Sequence, residues 1–136
     1  MVAQHRPLPA RYRLPLISTT LVVAGVIHLI PISGVLGSER LFALYGLPMT
    51  ESNLSILMRH RAVLFGLLGA FMVFAAFRPH LQALALVAGF ASVISFLGIA
   101  VSTGGYNDAV ARIVAADLVA LVSLLIGATA CLWRRP

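Results

Sequence analysis

The sequence predicts an all-α integral membrane protein, an antiparallel four-helix bundle with both termini in the cytoplasm. Three observations carry that prediction. Hydrophobic residues make up 60% of the chain and charged residues only 10%, against roughly 25% charged in a soluble domain. The apolar residues gather into four runs, about 16–36, 57–77, 81–103 and 112–133. Each is near the ~20 residues that cross ~30 Å of hydrocarbon. Most of the arginines stand in short flanks beside these runs; Arg59, Arg61 and Arg112 fall near the starts of the second and fourth. The mean hydropathy is +1.00, and at 136 residues the chain is expected to form one domain.

The first run contains "AGVIHLIPISGVLG", residues 24–37. It is too long for a signal-peptide core and lacks a small-residue cleavage site, so it is expected to stay as a helix. Pro31 cannot donate to the Ile27 carbonyl, and its ring pushes against it. In lipid the freed carbonyl must find another donor, so a kink facing the bundle interior is expected here, beside His28. The connection 38–56 is the only sizeable one. Its "SERLFALYGLP" offers Ser38 as a cap, Glu39 in an acidic first turn, and Gly46 and Pro48 as stops. It predicts a short amphipathic helix, about 38–45, lying on the outer surface. Thr50 and Glu51 then begin the second long helix. "FRPH" at 77–80 is a turn short enough to force an antiparallel hairpin. "STGGYND" at 102–108 separates the last two runs, and Asn107 or Asp108 can cap the final helix.

All ten basic residues are arginine. Arg6, Arg11 and Arg13 precede the first run, Arg78 and His80 lie in the second connection, and Arg134 and Arg135 follow the last run. The first connection instead carries Glu39, Arg40 and Glu51, and the third carries Asp108. This bias places the termini and the 78–80 turn inside and residues 38–56 outside. The net charge of +6 is thus a topology signal, and no nucleic-acid partner is expected. The single cysteine, Cys131, permits neither an internal disulfide nor a CxxC pair.

Counting ~1.5 Å per residue from the outer boundary puts His28 and Ser95 about 12 Å deep, Asp117 about 7–8 Å and Arg59 and Arg61 about 3–6 Å. Each long helix therefore brings a polar group to the outer half, while the inner half brings almost none. A charge in hydrocarbon costs ~2.5–3.5 kcal/mol on the most lenient scales, so Asp117 needs a partner. Arg59 heads a stripe of small residues formed by Ala62, Gly66, Gly69 or Ala70, and Val73. It is the favoured partner, with Arg61 second. Arg112, five residues before Asp117 on the same helix, is expected to face away. The candidate site, structural or ligand-binding, is thus His28, Arg59, Arg61, Ser95 and Asp117, with Pro31 as the kink.

No specific chemistry follows from these residues. The chain lacks a thiolate cluster or other metal-ligand set, a pair of histidines at matching depth for haem, and a glycine-rich phosphate loop. No catalytic residue, metal or cofactor is therefore expected. The expected partners are the lipid bilayer and a small lipophilic ligand or a larger membrane complex. The leading function is an accessory subunit or a binder of that ligand through the outer polar layer, and more an interaction module than an enzyme. The alternatives are a proton-coupled small transporter using Asp117 and a quinone-associated membrane oxidoreductase using His28.

The segments "IHLIPISGVLGSERLFALYGL", "LMRHRAVLFGLLG" and "GGYNDAVARIVAADLVAL" resemble a family of small bacterial four-helix membrane proteins, the DoxX-like group. The resemblance spans nearly the whole chain after residue 15. It implies a four-helix fold and the bacterial cytoplasmic membrane, and no reaction. Some relatives carry the label phosphopantetheine adenylyltransferase, an activity whose enzymes use an HxGH motif. Here His5, His28, His60 and His80 are followed by "RP", "LI", "RA" and "LQ", so that motif is absent and the activity is not expected.

Overall fold

The computed structural model describes residues 10–133, with side chains from residue 14 onward. Arg6, Arg134 and Arg135, and the side chains of Arg11 and Arg13, lie outside the described residues, as does His5. The described chain is all-helical. It comprises α1 (Ala10–Leu29), a 3-10 helix (Ile30–Leu36), α2 (Ser38–Tyr45), α3 (Ser52–Ala76), α4 (Gln82–Thr103) and α5 (Asp108–Leu132). Four stretches are long and apolar enough to cross a membrane: Leu14–Leu36, Ser52–Ala76, Gln82–Thr103 and Asp108–Leu132.

Local chemistry sets the ends. Glu51 caps α3, its carboxylate accepting from the Asn53 and Leu54 N–H groups. Asn107 caps α5, accepting from the Val110 N–H. Both satisfy amides that a first helical turn leaves without partners. α2 ends at Gly46, which turns left-handed at φ 66° as only glycine does cheaply. The serine cap expected for α2 does not form. Gly37 occupies the cap position without a side-chain bond, and Ser38 is the first helical residue.

The first apolar stretch is not one kinked α-helix. The α-helix stops at Leu29 and the chain winds on as a 3-10 helix with Pro31 at its first turn. Proline fits a first turn because the N–H it lacks has no helical partner there. The 3-10 winding rises ~2.0 Å per residue rather than ~1.5 Å, which lengthens this end of the stretch.

α1 packs against α3 and α5, and α4 packs against both of those helices. Along α3, its contacts with α1 and then with the 3-10 helix run Ser18 with Ala76, Gly25 with Gly69, and Gly34 with Ala62, so one chain number rises as the other falls. The core between the helices is Ile17, Leu21, Ala24, Met72, Ala85, Leu86, Val93, Ala120 and Leu124. Outside it, Leu57, Leu67, Phe74, Val87, Ile94, Ile99, Val122 and Leu125 are all exposed. An apolar belt of this extent is rare on a soluble monomer and suits lipid.

Polar groups also occur at the end away from α2, where almost none was expected. The Ser18 hydroxyl donates to the Ala76 carbonyl, and the Gln82 amide donates to both Ser18 Oγ and the Ala76 carbonyl. The Ser123 hydroxyl donates to the Thr20 carbonyl. Gln82, Thr20 and Ser123 are buried. Short hydroxyl side chains in the "ISTT" run give little hydropathy signal; Ser18 is satisfied by the backbone of the neighbouring helix, while Thr19 and Thr20 donate back to the Pro15 and Ile17 carbonyls of their own helix.

Candidate functional site

At the α2 end, the helices line a partly open cavity of ≈ 250 Å³. α2 forms its roof through Ala43, Leu44 and Tyr45, and Ile27, His28, Ile30 and Pro31 form one wall. Arg61 and Phe65 of α3, Phe96 of α4, and Ala109, Arg112, Ile113, Ala116 and Asp117 of α5 complete it. The change from α to 3-10 winding thus falls on the cavity wall, where Ile30 and Pro31 stand.

His28 is 2% exposed. Its Nδ1 is 2.8 Å from the Ala24 carbonyl, and its Nε2 is 3.1 Å from Ser92 Oγ. A carbonyl only accepts, so Nδ1 carries the hydrogen. The Nε2 shares a hydrogen bond with the Ser92 hydroxyl, which can donate or accept. Both ring nitrogens are engaged, and the ring leans on Phe65 with centroids 5.8 Å apart. His28 joins α1 to α4 and leaves no nitrogen free for the cavity.

Ser95 is not in the site. It is exposed, donates to the Ser92 carbonyl and does not line the cavity. Ser92 is the residue that meets His28. The 3-10 winding explains the offset. Seven residues at the longer rise push His28 about 3.5 Å deeper than an α-helix would, which matches a partner nearly one turn deeper on α4.

The arginines also sort differently from expectation. Arg59 is exposed, and its Nε donates to the Val35 carbonyl at 3.0 Å, so it ties α3 to the 3-10 helix and does not line the cavity. Arg61 does line it. Its guanidinium carbon lies 5.3, 4.9 and 5.8 Å from the ring centroids of Tyr45, Phe65 and Phe96. Rings from α2, α3 and α4 therefore converge on one cation. The expected Asp117–Arg59 pair does not form. Asp117 is 7% exposed, and it lies within electrostatic range of His28 and Arg61. Among the described residues no hydrogen bond or ion pair engages its carboxylate. Arg112 lines the same cavity rather than facing away. Its Cα is about 140° around the helix from that of Asp117, an angle that a long arginine side chain can span.

No protein-family model, curated protein or solved structure matches the chain. The site is therefore judged on its own geometry. Its walls are mostly apolar, with a few convergent polar groups: the Tyr45 phenol, two guanidiniums and one carboxylate. That is the make-up of a small-molecule pocket. Burial pushes the Tyr45 phenol above its ordinary pKa, and Arg61 beside it pulls the other way less strongly, so at neutral pH the phenol keeps its proton. No group of three or more metal-ligating side chains occurs among the described residues.

The roof is latched. The Asn107 Nδ2 donates to the Tyr45 carbonyl at 3.0 Å, while Asn107 Oδ1 caps α5. Asn107→Asp keeps the cap and removes the donor. Amide exchange across α2 is expected to speed up about 2- to 12-fold, the equivalent of one net hydrogen bond, with the start of α5 unchanged. Unaltered α2 exchange would mean the latch holds nothing.

Proposed function

We propose that this protein spans the bacterial cytoplasmic membrane as an antiparallel four-helix bundle, with both termini and the 78–80 turn inside and α2 outside. In this reading it is a binding module or an accessory subunit of a larger membrane complex, not an enzyme. It takes a small ligand with an apolar body into the cavity beneath α2. The DoxX-like resemblance of its sequence agrees with that compartment and supplies no reaction. The observation that carries the reading is the cavity itself: mostly apolar walls, α2 across one end, and the Asp117 carboxylate, open to the cavity and with no hydrogen-bond or ion-pair partner among the described residues.

A carrier that uses Asp117 needs a polar way onward. Between the cavity and the Thr20–Ser123 contact stand Leu21, Ala24 and Ala120, all fully buried. An oxidoreductase that uses His28 needs a free ring nitrogen, and both are engaged. Neither alternative gains an observation in its favour.

Two experiments test the proposal. Protein purified in mild detergent and extracted into organic solvent is expected to release a small molecule that is lost in Ala116→Phe, which fills the cavity. An identical extract from both proteins would refute cavity binding. Cysteines placed at Ser38 and Ser52 in a Cys131→Ser background are expected to react with an impermeant thiol reagent in intact spheroplasts. Labelling at His80→Cys instead would invert the topology.

A further inference from the structure

We infer that the cavity beneath α2 recognises a dipolar head, a carboxylate beside a hydrogen-bond donor, on an apolar body such as that of an apolar amino acid or hydroxy acid. The inference rests on the ligand-binding reading above and names the ligand's chemistry.

The Arg61 guanidinium is held by the faces of three rings. Ring faces attract a cation but accept little from its N–H groups. Among the described residues no carboxylate or carbonyl takes those hydrogens. Asp117, buried in the same cavity, is an acceptor with no donor among them. The two opposite charges thus face one space without pairing with each other. Their polar atoms are open to the cavity rather than sealed from solvent, and a ligand that supplies a partner to each while covering them gains two charge-assisted hydrogen bonds in a drier setting. A carboxylate matches the fork of a guanidinium, and Arg112 adds a second cation on the same cavity. An ammonium or hydroxyl beside that carboxylate matches Asp117. His28 is spent on Ala24 and Ser92 and takes no part. Ile27, Phe65, Phe96 and Ile113 supply apolar wall for the body. The volume of ≈ 250 Å³ equals the liquid share of roughly eight waters, which suits a body of phenyl size.

Calorimetric titration of the purified protein in one detergent tests this with four probes. L-Phenylalanine and 3-phenyllactate carry both groups, 3-phenylpropanoate only the acid, and 2-phenylethylamine only the donor. At least one two-group probe is expected to bind about tenfold or more tighter than either one-group probe, because the latter leave a buried partner unmet. Asp117→Asn should erase its advantage over 3-phenylpropanoate, and Arg61→Met its advantage over 2-phenylethylamine. The ranking on the unaltered protein decides the matter even if a variant fails to fold. Equal affinities for all four probes would overturn dipolar recognition while leaving cavity binding intact. Binding of none would overturn the inference, and the solvent extract then decides separately whether the cavity holds a different ligand.

Discussion

Gly69→Ala lowers thermal stability in detergent by about 1–3 kcal/mol or more. A Cβ at Gly69 would stand 2.7 Å from the Gly25 carbonyl oxygen, 2.9 Å from the Leu29 nitrogen and 2.8 Å from Leu29 Cγ. Two of those atoms are backbone, so no rotamer change relieves the clash and α1 must move off α3. The reverse substitution meets the same wall, since a Cβ at Gly25 would stand 2.9 Å from the Gly69 carbonyl oxygen and 2.8 Å from Val73 Cγ2. Glycines at such crossings let helices pack without a hydrophobic force between them. His28 lies one turn beyond Gly25, so the displacement carries into the cavity wall. Gly98→Ala is the control. Nothing lies within 4 Å of its Cβ, and alanine is the better helix former, so stability should hold or rise. The double Gly25→Ala, Gly69→Ala should cost less than the sum, because the first methyl already separates the helices. The measurement is the unfolding midpoint of the unaltered protein and the four variants in one detergent. An unchanged midpoint for Gly69→Ala would mean α1 and α3 do not approach this closely.

What the sequence made legible was local. The four apolar stretches, the α2 span, the Gly46 stop, the helix start at Glu51 and a cap at Asn107 or Asp108 each depend on residues a few positions apart. Their physics is contained in composition, turn chemistry and charge. The pairings across helices were not legible, because they depend on rotation and rise. An α-helical count through Pro31 set His28 too shallow and pointed to Ser95, where 3-10 winding brings Ser92. The small-residue stripe pointed to Arg59, but that stripe marks where α1 packs, while the cavity lies on the face of α3 that carries Phe65. The signal for Arg61 was present in its spacing to Phe65: a cation one turn before an aromatic residue on the same face. Tyr45 and Phe96 come from distant elements and had no local marker. The Cα angle alone turns Arg112 away from Asp117, and only the length of its side chain brings it to the cavity.

Arg61→Ala and Asp117→Asn, two changes in one cavity, are expected to act in opposite senses. Arg61 braces rings from α2, α3 and α4 at 5.3, 4.9 and 5.8 Å. Partly desolvated contacts of this kind contribute up to ~2 kcal/mol, and three rings sharing one cation do not contribute three times that. Arg61→Ala should therefore cost about 2 kcal/mol of unfolding free energy and loosen α2, whose Tyr45 loses its cation. Arg61→Lys keeps the charge without the flat face and should recover only part. Asp117→Asn removes a buried charge that no hydrogen bond or ion pair among the described residues engages. It should leave stability unchanged or raise it, as happens where a group is kept for binding at the expense of the empty protein. A structural ion pair behaves otherwise: breaking it strands the remaining charge at a cost of ~3–5 kcal/mol. Arg59→Gln removes only an exposed contact to the Val35 carbonyl and should stay within about 0.5 kcal/mol. Unfolding in one fixed detergent, without added ligand, reads all four variants. A large loss for Asp117→Asn, restored when Arg61 is also replaced, would make the pair a scaffold and remove the carboxylate from any role in recognising a ligand.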